Sequence, residues 1–259
     1  MPEPLEVLPG GGFRDGEIHF FGEVTSTMDL VRQGDLPWNC TVVAASQTSG
    51  RGRYDRRWSS PDTGGLYLTT WIRHDRTPEG AANLSQGTAL GLAFLCRELG
   101  IPGARLKWPN DLLIDGQKCA GILAECFTGP QGMGIAVGVG INVATSEEIL
   151  ASVGQPATSL SREVGKNLSL RKILHSFLAQ WTHVDVMLAE GGFPAIAAGY
   201  RSFSDLPGRI LRHSTGCSEE LVRVVGISDE GALDIEPLSG GGVRTVWGGE
   251  LLPLPKASP

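Results

Sequence analysis

At 259 residues, with 41% hydrophobic and 19% charged side chains, the chain has material for one domain, or one domain with a small appendage, around a sizeable core. A formal net charge of −6 argues against a general polyanion binder, which needs an extended basic face. The start, Met1-Pro-Glu-Pro-Leu-Glu, lacks a basic n-region, and no run approaches the roughly 20 apolar residues of a membrane span. Five cysteines without a Cys-x-x-Cys pair read as reduced thiols, so the expected location is cytoplasmic.

Residues 1–16, rich in Pro and Gly, are expected to form a loose N-terminal segment. Residues 17–24 read as a strand, after which Ser26 or Thr27 can N-cap a short helix ending near Gly34. The β-branched run at 41–46 predicts a strand that feeds directly into the segment from Gln47 to Trp58. Within that segment, residues 50–57 hold four arginines and two glycines, against the acidic trend of the whole. A strand at 65–73 and a helix over 78–99 follow, the helix with Pro78 in its first turn and Gly100 after its end. A short strand is expected at 104–108. Residues 112–114 and 118–127, joined at Asp115-Gly116, predict a β-hairpin, and 132–143 alternates Gly with Ile, Ala and Val as a buried strand does. Residues 169–190 carry the clearest three-four apolar spacing, with Ser169 as cap, and 194–203 reads as a second helix. From 205 onward, short strands at 221–227, 232–237 and 243–254 alternate with Gly/Ser/Asp turns. The expected division is therefore a loose 1–16, a main domain over 17–204 and a small β-module over 205–259.

Four segments carry chemistry. Ser26-Thr27-Met28 offers hydroxyls to a polar ligand, or simply caps the helix. The arginine loop combines guanidinium groups, which grip carboxylates and phosphates bidentately, with glycines that free backbone N–H groups. A solvated basic turn, or an arginine-glycine RNA contact, is its alternative reading. In Lys107-Trp-Pro-Asn110-Asp111, the Asn-Asp pair can meet a nucleotide or hold Mg²⁺ through oxygen, or form an Asx turn. Lys118 opens the return strand of the hairpin, where a rigid scaffold can aim its ammonium, or it is an ordinary surface lysine, the commoner case. Gly121 inside that strand marks a close backbone approach. Gly138-Val-Gly-Ile-Asn142 lacks the third glycine of a dinucleotide fingerprint. It reads as a strand whose missing side chains leave room for a ligand, or as tight strand packing.

In this order the segments resemble the biotin protein ligases (biotin–acetyl-CoA-carboxylase ligases). Their pattern runs Ser-Thr-Asn/Met, Gln-x-x-Gly-Arg-Gly-Arg-x-x-Arg-x-Trp, Lys-Trp-Pro-Asn-Asp, Lys-x-x-Gly-Ile-Leu-x-Glu and Gly-x-Gly-Ile-Asn. Ser26-Thr27-Met28, Gln47 through Trp58, Lys107 through Asp111, Lys118 through Glu125 and Gly138 through Asn142 match it. Trp247-Gly-Gly-Glu250 resembles the closing motif, and Met28 stands where many members have Asn. The resemblance implies an α+β fold, with a mixed or antiparallel sheet and flanking helices like a class II synthetase, plus a C-terminal SH3-like barrel. It implies an ATP-dependent ligase that forms biotinyl-5′-AMP with Mg²⁺. The enzyme then moves biotin to a lysine of a biotin carboxyl carrier protein, an acetyl-CoA carboxylase subunit.

Lys118, Arg53 and Arg51 are implied as catalytic. Ser26, Thr27, Met28, Gln47, Gly50, Arg51, Gly52, Arg53, Trp58, Lys118 and Gly121 are implied for biotin. Arg53, Arg56, Trp58, Asn110, Asp111, Lys118, Asn142 and Trp247 are implied for the nucleotide, with Asp111 also a metal ligand. Sixteen residues before the first expected strand leave too little chain for the winged helix-turn-helix of bifunctional members, so neither nucleic acid nor a membrane is expected as a partner. Edge-to-edge pairing of family sheets makes a homodimer compatible. The rivals are a lipoate ligase or octanoyl transferase of the same fold, which share the lysine but not the arginine loop ending in Trp58, and an RNA-binding module.

Overall fold

The strands expected at 17–24, 41–46 and 65–73 are the centre of one half of a large sheet. The computed structural model describes residues 2–54, 56–61, 64–73 and 78–254, the side chains of 78 and 79 excepted. In chain order come β1 (Glu6–Leu8), a 3₁₀ turn at Phe13–Asp15, β2 (Ile18–Val24), α1 (Thr27–Gln33), β3 (Thr41–Gln47), β4 (Gly65–Arg73) and α2 (Pro78–Glu98). Next are β5 (Ala104–Lys107), β6 (Asp111–Ile114), β7 (Gln117–Gly129), β8 (Gly132–Asn142), α3 (Glu147–Ser152), α4 (Leu160–Val164) and α5 (Leu170–Ser202). The chain closes with β9 (Ile210–Ser214), β10 (Glu219–Ile227), β11 (Leu233–Pro237), β12 (Arg244–Val246) and β13 (Glu250–Leu252).

The first eight strands form one sheet in the order β1-β2-β3-β4-β8-β7-β6-β5. Only β2 and β3 run parallel, joined by α1, so the sheet is mixed. Alternation along the strands splits the apolar residues between two faces. Val43, Ile72, Ile135 and Val137 face the main core with α2 and α5. Their neighbours Val42, Ala44, Trp71 and Ala136 face a smaller cluster under α1. The fold is thus an α+β sandwich of a mixed sheet with flanking helices.

The two helices expected at 169–190 and 194–203 form as the single element α5 with a break at Gly192. Its φ of 63° lies in the left-handed region that glycine favours, and Pro194 starts the second segment. The expectation of a loose 1–16 is corrected. Strand β1 pairs with β2, and Phe13 is fully buried with its ring 4.3 Å from that of Trp181. Arg14 donates to buried Asp185 at 2.6 Å. Aromatic burial and one ion pair outweigh the local Pro/Gly bias.

The C-terminal module is a five-stranded antiparallel sheet ordered β12-β11-β10-β9-β13. Strand β9 was not expected, because Arg212 and His213 obscure its apolar pattern. Its Leu211 and the buried Val222, Ile235 and Leu251 join the same cluster as the main core. Among the described residues, no helix is long and apolar enough to cross a membrane. The five cysteines are unpaired, with Cys126 and Cys217 exposed.

Candidate active site

Ser26 ends β2's exit and N-caps α1, its hydroxyl accepting from the N–H of Met28 at 3.3 Å. The helix start therefore buries Ser26 and Thr27 beneath the sheet's α1 face, both about fully enclosed by neighbours. Gln47, the last residue of β3, accepts through Oε1 from the Thr27 N–H (2.9 Å) and hydroxyl (3.2 Å). Its Nε2 donates to Ser60 at 2.7 Å, and Thr69 donates to Thr27 at 2.7 Å. Ser26, Thr27 and Gln47 line a cavity of about 470 Å³ as its polar floor.

One row across the sheet forms its wall. Asp111 of β6 pairs with Gly121 of β7, Gly121 with Gly140 of β8, and Gly140 with Tyr67 of β4. The Trp58 indole lies over the two glycines. A Cβ on Gly140 would sit 2.4 Å from Trp58 Cε2, and one on Gly121 2.9 Å from Cζ3. At Gly138 a Cβ would meet Met28 Sδ at 3.0 Å. The strand glycines therefore make room for the protein's own Trp58 and Met28, and those side chains form the apolar wall. Of the two readings of this glycine strand, room for a ligand and tight packing, these contacts match packing against the protein's own side chains.

Lys118 reaches this face only because β7 is bulged. The register shifts between Leu112 and Leu113, so Cys119 is skipped in the ladder, and Cys119 and Ala120 both point into the main core. In a regular strand Lys118 and Gly121, three positions apart, would lie on opposite faces. The Lys118 backbone is held on its other side by the Pro156 carbonyl and the Thr158 N–H. Its ammonium lies 2.8 Å from Asp111 Oδ1 and 5.4 Å from the Trp58 ring centroid, in a largely enclosed position.

The arginine loop folds back on itself, with Gly52 donating to the Arg56 carbonyl and Trp58 to the Gly50 carbonyl. Arg53 donates to Asn110 Oδ1 at 3.3 Å and to the Tyr54 hydroxyl at 3.1 Å. Asn110 in turn donates to the Ile122 carbonyl at 2.7 Å. Arg51 sits 3.5 Å from Asp29 and 3.7 Å from Glu125. Arg56 spans to the C-terminal sheet, donating to both carboxylate oxygens of Glu250, one at 2.8 Å. That hydrogen bond outweighs burial and holds the Glu250 carboxyl below the usual carboxylate range, while raising Arg56.

Two further openings flank the main cavity, one larger than it and one smaller. One, of about 690 Å³, is lined by Gly50, Arg57, Trp58, Lys118, Asn142 and Gln155. The other, of about 160 Å³, is lined by Arg53, Asn110 and Trp247 among others, and shares no lining residue with the first. Of the expected site residues, Ser26, Thr27, Met28, Gln47, Arg51, Gly52, Arg53, Arg56, Trp58, Asn110, Asp111, Lys118 and Gly121 line the main cavity. Gly50 and Asn142 lie on one flank and Trp247 on the other.

Among the described residues, Asp111 and Glu250 are the carboxylates lining the main cavity, and each is ion-paired. Among the described residues no group of three or more His, Cys, Asp or Glu is placed to hold a metal ion. Lys107, Gln155 and Glu250 line the cavity without having been assigned a role in it. Lys107 and Glu250 stood inside quoted motifs; Gln155 had no local signal, since it arrives from the loop after α3.

A model of the Biotin/lipoate A/B protein ligase family matches residues 21–142. The Bifunctional ligase/repressor BirA of Escherichia coli (strain K12) is 30% identical over 97% of this chain and 79% of its own length. The Biotin--[acetyl-CoA-carboxylase] ligase of Paracoccus denitrificans is 32% identical over 76% of this chain and 84% of its own. The solved biotin protein ligase from Aquifex aeolicus in complex with biotin and ATP has a TM-score of 0.75 at 26% identity, covering 90% of this chain and 97% of that one. Fold and site define a member of the biotin/lipoate ligase class. Within it, the chain belongs to the biotin protein ligase family.

Proposed function

We propose that this protein activates biotin with ATP as biotinyl-5′-AMP and transfers the biotinyl group to a lysine of a biotin carboxyl carrier domain. The observation that carries this reading is the convergence of Lys118, Arg53 and the Trp58-covered glycine row on one cavity with a polar floor. A carboxylate and a triphosphate repel one another, and fixed cations in an enclosed site offset that repulsion where the new bond forms. The biotin carboxylate oxygen attacks the α-phosphorus, and the bond to pyrophosphate breaks.

Lys118 leaves Asp111 to lie between the two anions, held in aim by the bulge and by its backbone bonds. Arg53 and Arg51 carry the remaining charge, and Arg56 and the loop's N–H groups hold phosphate oxygens. The Ser26-Thr27-Gln47 floor takes the polar head of biotin, exchanging some internal hydrogen bonds for ligand ones. Trp58 and Met28 contact its apolar body. The adenosine extends past Lys118 into the flank lined by Asn142 and Trp58. Asp111, freed from Lys118, suits one ligand of a Mg²⁺ carried by the triphosphate, since that ion needs only one or two protein carboxylates. Such an ion would neutralise phosphate charge.

The test is ATP–pyrophosphate exchange driven by biotin or by lipoate, followed by avidin-read labelling of a purified carrier domain. Exchange and labelling with biotin are expected. Turnover with lipoate alone would overturn the proposal in favour of a lipoate-type ligase.

A further inference from the structure

The small cavity beside Trp247 takes no part in the chemistry derived above. It meets the main cavity along Arg53, Trp108, Pro109, Asn110, Ile122 and Leu123. Its outer wall comes from Ala81, Ala82 and Ser85 of α2, from Ala124 of β7, and from Trp247, which is 37% exposed. Resting on the ligase reading, we propose that this cavity is the entry channel for the target lysine of the acceptor protein.

Three observations carry the proposal. The first is position. Biotin occupies the polar floor of the main cavity and adenosine the flank at Asn142, so the anhydride forms between them near Lys118 and Arg53. The amine must approach the carbonyl carbon from a side that neither substrate fills. The Trp247 cavity opens onto Arg53 and Asn110 and shares no residue with the adenosine flank.

The second is shape. Ala81, Ala82, Ala124 and the indole of Trp247 give an apolar side for a four-carbon stem, with Ser85, Gln86 and Asn110 lining the rest. The third is charge. Among the described residues the lining contains no carboxylate, and its one charged group is Arg53 at the inner end. Desolvation and a nearby guanidinium both disfavour an ammonium. A lysine drawn inward therefore sheds a proton to bulk water and arrives as the neutral nucleophile. No protein base is needed, which agrees with Glu250 being ion-paired to Arg56.

The amine nitrogen then forms a bond to the biotinyl carbonyl carbon. The carbon–oxygen bond to phosphate breaks, and its electron pair leaves on AMP. The amide keeps one amine hydrogen, and the other departs as a proton to water.

Filling this cavity from its apolar side separates the two half-reactions. Ala82→Leu and Ala124→Leu are expected to slow single-turnover transfer from preformed biotinyl-AMP to the carrier domain at least about tenfold, the order of an overpacking cost. Biotin-dependent pyrophosphate exchange, which also reports a folded site, should stay within about twofold of wild type on the same reasoning. Unchanged transfer in both variants overturns the channel. So does loss of exchange together with transfer in both, because the cavity would then serve the first step; if only Ala124→Leu loses exchange, Ala82→Leu decides. Wild-type protein without biotin-dependent exchange would instead defeat the ligase reading itself. In wild type, the transfer rate should also level off well below pH 10.4, the ordinary lysine value. A rate that climbs through that value would overturn the desolvation argument.

Discussion

Gly140→Ala tests the claim that the strand glycines exist to seat Trp58. The added Cβ would stand 2.4 Å from Trp58 Cε2 and 2.5 Å from Nε1. Relaxed carbon contacts lie at about 3.5 Å or more, so the indole has to move by about 1 Å. The backbone cannot yield instead, because Gly140 is paired on both sides, to Tyr67 and to Gly121. Such overpacking costs about 1–3 kcal/mol. Full expulsion of the indole would sacrifice burial of roughly 150–250 Å², about 4–6 kcal/mol at 25 cal/mol per Å², so a displaced but still packed ring is expected. A displaced ring disturbs both the biotin wall and the seat of Lys118, which lies 5.4 Å from the ring centroid. Biotin affinity by calorimetry should fall by roughly 5- to 150-fold, the equivalent of that cost, with a shifted tryptophan emission. Gly226→Ala is the control, since a Cβ there meets nothing within 4 Å. Wild-type biotin affinity and emission in Gly140→Ala would refute the reasoning.

Lys118→Ala should abolish most biotin-dependent pyrophosphate exchange, on the order of 10²-fold or more, as expected for a preorganised charge at the reacting atoms. Wild-type exchange in that variant would remove Lys118 from the mechanism. Glu250→Gln should cost under about 1 kcal/mol at neutral pH, because Arg56 is mostly exposed. The sign follows from Glu250 being held below the ordinary carboxylate range. Its contribution is complete above the unfolded value near pH 4.5 and is lost as pH falls through the lowered folded value. Urea midpoints of wild type and Glu250→Gln should therefore converge on acidification, and a gap that widens would contradict the pairing. Arg14→Met leaves Asp185 buried without its partner and should lower stability by about 3–5 kcal/mol, read by denaturant midpoint. Burial pushes the Cys40 and Cys96 thiols up to about 12, so in native protein they should react with a thiol reagent far more slowly than exposed Cys126 and Cys217.

Much of the molecule was legible in the sequence by itself. Apolar periodicity and caps located α1, α2 and β4, and the break between 190 and 194 marked where Gly192 turns α5. The chemical content of the site was also local: a run of arginines, an Asn-Asp pair and a lysine near a glycine are visible without coordinates. Tertiary structure decided which face each group uses and what it meets. The bulge at Cys119 turns Lys118 onto the face of Gly121, and a one-residue register shift leaves no trace in a hydrophobic pattern. Gly138 and Gly140, whose missing side chains fit either ligand space or tight packing in the sequence, seat Met28 and Trp58, which lie more than eighty residues away in the chain. Arg56 finds Glu250 across 194 positions, and Phe13 finds Trp181, because burial and charge pairing act through space. Local propensity supplies the elements and the reactive groups; only the packed sheet sets their distances, and those distances make the chemistry.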